Sequence, residues 1–75
     1  MNNSKTYFAV VSEIDNTLCS VWKNESFAQH DVSHSKEIYN ADRLVVSGTI
    51  DELLEAVNCD REELENAIER LHEQV

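Results

Sequence analysis

Gly48 is the only glycine in the chain, and that scarcity argues against two classes of site at once. A phosphate-cradling loop and a dinucleotide-binding turn both need several glycines, because the backbone must approach the ligand closely and adopt positive φ angles. Cysteine is nearly as scarce. Cys19 and Cys59 sit in different segments with no second pair nearby, the pattern of reduced thiols and not of a secreted disulfide scaffold. Long apolar runs are missing too: the longest, Tyr7 to Val11, is far short of a membrane span, and Met1 to Lys5 is polar, with no basic segment leading into an apolar one. These absences predict a cytoplasmic protein that neither spans a membrane nor is secreted.

What is abundant is acid. The 75 residues carry a net charge of −9, and its distribution is uneven. Residues 1–50 hold six acids and four bases, a net of −2, whereas residues 51–75 hold nine acids and only two bases, Arg61 and Arg70, a net of −7. A chain this short forms one domain, spanning residues 1–75, with little core to surrender to an active-site cleft. With no disulfide or metal cage to staple it, such a domain gains disproportionately from a partner surface or from pairing with itself as a homodimer.

Thr6 to Ser12 is rich in aromatic and β-branched residues and apolar on both alternating faces, as expected of a strand covered on both sides. Ile14 to Thr17 supplies turn chemistry. Leu18 to Lys23 follows with Val21 and Trp22, so Thr6 to Lys23 reads as a hairpin. Asn24 to Ser35 shows no sustained period and reads as a polar loop. Lys36 to Ala41 is ambiguous between helix and strand, and Leu44-Val45-Val46 is a short third strand ended by Ser47-Gly48.

From Thr49 the period changes. Ile50, Leu53, Leu54 and Val57 stand at i, i+3, i+4 and i+7, and Thr49 with Glu52 has the spacing of a capping box. Asn58 is a candidate left-handed stop. Asp60 with Glu63 repeats the box spacing, Leu64, Ala67, Ile68, Leu71 and Val75 form a second apolar stripe, and Cys59 is placed to pack on Leu64. The predicted fold is therefore α+β. Residues 1–48 are mainly β, with a small antiparallel sheet of about three strands, and residues 49–75 form a helical hairpin packed on one face of it.

At roughly 100° per residue, Glu62, Glu65, Glu69 and Glu73 fall on one side of the last helix, opposite Leu64, Ile68 and Leu71. Two readings are open. One is the solvated face of an amphipathic helix. The other is a surface, extended by Asp51 and Glu55, that meets a basic partner through complementary potential. That partner could be a nucleic-acid-binding complex, since carboxylates one helical turn apart can mimic a row of phosphates. Direct nucleic-acid binding is disfavoured, because the would-be recognition helix would repel phosphates.

Candidates for chemistry are sparse. His30 and His34 have the spacing that lets two imidazoles share a metal on a helix, but in a loop they read as polar residues, and no further ligand stands at a recognisable spacing. Cys59 precedes a helix N-terminus, which can lower a thiol pKa. Neither it nor Cys19 has an accompanying base, so both read as small core residues. Tyr7, Phe8, Trp22, Phe27 and Tyr39 supply an expected aromatic core, of which one or two could serve as interface anchors. No catalytic, cofactor or metal site is expected.

Thr49-Ile50-Asp51-Glu52-Leu53-Leu54-Glu55-Ala56-Val57-Asn58, continued by Cys59 to Leu71, resembles a helical hairpin in the clamp (capping) domain of fumarate reductase-like flavoproteins. It departs from that pattern with Asn58 where glycine is usual and Arg61 where proline is frequent, and no catalytic residue of the family maps onto it. The resemblance implies a substrate-capping piece of a larger flavoenzyme, inert alone. Against this, the polar start at Met1 to Lys5 and the closing Val75 suggest a complete chain. The leading expectation is a free-standing acidic binding protein, such as a small inhibitor of the phage or mobile-element type.

Overall fold

A computed structural model describes residues 5–73, with the side chains of residues 72 and 73 left out of the description. Six elements follow one another: β1 (Tyr7–Ser12), β2 (Leu18–Trp22), α1 (Glu25–Tyr39), β3 (Arg43–Gly48), α2 (Ile50–Ala56) and α3 (Arg61–Glu73). The α+β class is as expected. β1 lies at the centre of a three-stranded sheet of order β2-β1-β3 and pairs antiparallel with both neighbours.

The pleat sorts β1 into two sets of side chains. Tyr7, Ala9 and Val11 share one face with Val21, and they pack against Leu53 and Val57 around α2 and Leu64, Ile68 and Leu71 of α3. Val10 points the other way, beside its partners Ser20 and Val45, and is fully buried. What buries it is α1.

The predicted loop at Asn24 to Ser35 is thus a correction: all of it after Asn24 belongs to a 15-residue helix. Its buried side chains are small. Ala28 and Ser35 are its buried residues, and polar bonds hold it to the sheet. Ser20 on β2 donates to Asp31 Oδ2, Trp22 Nε1 donates to Ser20 Oγ (3.0 Å) and Asp31 Oδ2 (3.3 Å), and Ser35 donates to Asp31 Oδ1 (3.4 Å) while accepting from Arg43 Nη1 on β3 (2.9 Å). The ambiguous stretch from Lys36 resolves as the end of α1, closed at Asn40 in the left-handed region (φ 54°).

The helices therefore cover both faces of the sheet, α1 on one and the α2–α3 hairpin on the other, so the cover expected on both sides of β1 comes on its second face from the segment that reads as a loop. α2 has the expected Thr49–Glu52 capping box in both directions. It does not end on a left-handed Asn58. Val57 is extended (φ −110°), and the Asn58 amide instead donates to the Asn16 carbonyl at 2.9 Å, while Asn16 Nδ2 donates to the Ala56 carbonyl at 2.7 Å. The β1–β2 turn is in this way pinned to the end of α2. Val75, assigned to the last apolar stripe, lies outside the described residues.

Gly48 joins β3 to α2 at φ +156°, and a Cβ placed there would stand 2.9 Å from Glu52 Cβ and 3.0 Å from its Oε1. That carboxylate accepts the Thr49 amide in the capping box. Gly48→Ala is therefore expected to destabilise the domain by about 1–3 kcal/mol, since both backbone strain and a displaced cap act together. A melting curve reads this as a fall of roughly 4–8 °C per kcal/mol in a domain of this size. An unchanged midpoint would show that the junction relaxes freely.

Candidate functional site

α2 and α3 present their acids outward. Asp51, Glu52 and Glu55 on α2, Asp60 before α3, and Glu62, Glu63, Glu65 and Glu69 on α3 are all exposed. Arg61 shows that Asp51 and Glu65 converge: its guanidinium lies 3.1 Å from Asp51 Oδ1 and 3.5 Å from Glu65 Oε2. These exposed pairs contribute little to stability, but they place acids of two helices on one surface. No described cation lies within ion-pair distance of Glu55, Glu62 or Glu69. Glu73 belongs to α3, with its side chain outside the described residues.

Beside these charges runs an open groove of about 320 Å³ lined by Ile50, Glu65, Ile68 and Glu69. Its apolar floor comes from the stripe of both helices and its rim from two of the acids singled out by the sequence. The groove itself is not apparent from residue spacing, because it depends on the angle between α2 and α3.

A second groove, of about 260 Å³, opens on the α1 side and is lined by Trp22, Phe27, His30, Asp31 and His34. Trp22 and Phe27 meet with ring centres 6.1 Å apart and planes tilted by 53°. The aromatic set is thus only partly core. Tyr7 is buried and Phe8 and Trp22 are half-buried, but Phe27 is 54% and Tyr39 72% exposed.

Burial, reinforced by the neighbouring Glu63 and Asp60 carboxylates, pushes the Cys59 thiol up, which opposes the lowering expected from a helix N-terminus. Cys59 does pack against the core, as expected, whereas Cys19 is exposed on β2. Among the described residues no cluster of three or more His, Cys, Asp and Glu side chains is arranged to hold a metal, and no helix is long and apolar enough to cross a membrane. Comparison with protein-family models, curated proteins and solved structures yields no match.

Proposed function

We propose that this protein is a non-catalytic binding module, a small inhibitor or regulator that engages a basic, nucleic-acid-binding protein through the outer surface of α2 and α3. The observation that carries the reading is the convergence of Asp51 and Glu65 on Arg61, which joins the acids of two helices into one surface. Asp51, Glu55, Glu62, Glu65 and Glu69 contribute the charge, and the groove between Ile50 and Ile68 gives that charge an apolar centre. An interface with an apolar middle and a charged rim combines fast, steered encounter with a desolvated anchor. The partner's surface is the kind that normally neutralises phosphates, and the carboxylates spaced one turn apart occupy that role.

The test is affinity capture from a lysate with the immobilised chain, at low and at high salt. Exposed charges are screened within about 10 Å at 0.1 M ionic strength and about 3 Å at 1 M, so a nucleic-acid-binding protein is expected to be retained at low salt and released at high salt. Retention that ignores salt, or no retention at all, removes the reading.

A further inference from the structure

We propose that His30 and His34 form a two-imidazole chelate for late first-row divalent cations such as nickel(II), copper(II) and zinc(II). The segment that reads as a loop is the N-cap and first three turns of α1, which puts residues four apart on one side of the helix. The two rings face each other with centres 6.1 Å apart and planes only 17° from parallel. A metal held by one nitrogen of each ring at about 2.0–2.1 Å brings ring centres to about 5 Å. The nitrogen lone pairs lie in the ring planes, so in this stacked pose they run side by side. Both side chains are exposed, and rotating each imidazole turns one nitrogen of each toward a shared point and closes the remaining ångström without disturbing the core.

The surroundings suit a hydrated cation. The rings border the open groove that also holds Trp22, Phe27 and Asp31, which leaves room for the waters that complete the coordination. Asp31 acts there as a charge and not as a ligand, because its oxygens already accept from Ser20, Trp22 and Ser35. Imidazole is a good donor for nickel, copper and zinc and a poor one for magnesium or calcium, and affinity rises from nickel to copper.

Trp22 provides the readout, since it is the chain's single tryptophan and lines the same groove. Nickel(II) is the probe of choice because it does not oxidise the exposed Cys19. Titrating nickel(II) into the full chain at neutral pH is expected to quench Trp22 fluorescence saturably at one equivalent, with calorimetry giving the same stoichiometry. His30→Ala and His34→Ala are each expected to weaken binding roughly a hundredfold, the scale gained by linking two ligands. His72→Ala is expected to leave it unchanged. The inference is overturned if quenching does not saturate, or if a chain carrying both H30A and H34A binds as the wild type does. Far-UV circular dichroism of each variant confirms that α1 persists, so that a loss reports the ligands themselves.

Discussion

Replacing Glu65 and Glu69 together by lysine is expected to cost about 2–5 kcal/mol of affinity for the captured partner and to slow association at least tenfold at low salt. Both carboxylates rim the groove floored by Ile50 and Ile68, so the reversal puts like charges opposite one another directly around the apolar centre of the interface. Folding should survive. Both residues are exposed, and the reversal breaks the 3.5 Å ion pair from Glu65 to Arg61, which, like other exposed pairs, contributes well under about 1 kcal/mol. A lysine in place of Glu65 would sit one turn from Arg61 and repel it by a few tenths of a kcal/mol. Measured side by side, the melting midpoint should barely move while affinity falls steeply. A solvated face with no partner role gives the other pattern, with affinity unchanged in the double variant at both salt concentrations.

Most of the fold is legible because its signals are local. The β1–β2 hairpin carries its own turn, in which Asp15 Oδ1 accepts from both the amide and the hydroxyl of Thr17, and these bonds hold the Asp15 carboxyl below its usual range. The hairpin of α2 and α3 announces itself through a 3.6-residue apolar period and through Thr49 and Glu52. α1 has no such period, because the residues it turns to the sheet are Ala28, Asp31 and Ser35. Small and polar side chains give no apolar stripe to count, and their bonding partners, Ser20, Trp22 and Arg43, lie on strands elsewhere in the chain. One clue is present in the sequence. Val10 is as apolar as Ala9 and Val11, and a strand apolar on both faces needs cover on both, which a hairpin on one side cannot supply.

The acidic surface is legible for the same local reason, since Glu62, Glu65 and Glu69 recur on one face of a single helix. Its continuation through Asp51 to α2 depends on how two helices pack, as does the groove between Ile50 and Ile68. The histidine pair depends on one prior fact, that α1 is a helix. Its spacing is plain in the sequence, and its geometry follows only once Asp31 and Ser35 are seen to hold that segment against the sheet.

Leu64→Ala is expected to destabilise the domain by about 2–5 kcal/mol. Leu64 is 0% exposed, at the middle of the cluster that joins Tyr7, Ala9 and Val11 of β1 to Leu53 of α2 and Ile68 and Leu71 of α3. Removing its branched end leaves a cavity inside that cluster, and the paired sheet cannot move inward to fill it. A 75-residue domain has a total stability of only about 4–11 kcal/mol at the usual 0.05–0.15 kcal/mol per residue, so one such change can consume half of it. Urea unfolding should show a lower midpoint at an unchanged slope, because the surface exposed on unfolding is nearly the same. Glu62→Ala, on the opposite side of α3 and exposed, should stay within about 0.5 kcal/mol of the parent. Equal losses in the two variants would mean that α3 presents a different face to the sheet, and the acidic surface built on Glu62, Glu65 and Glu69 would fall with that assignment.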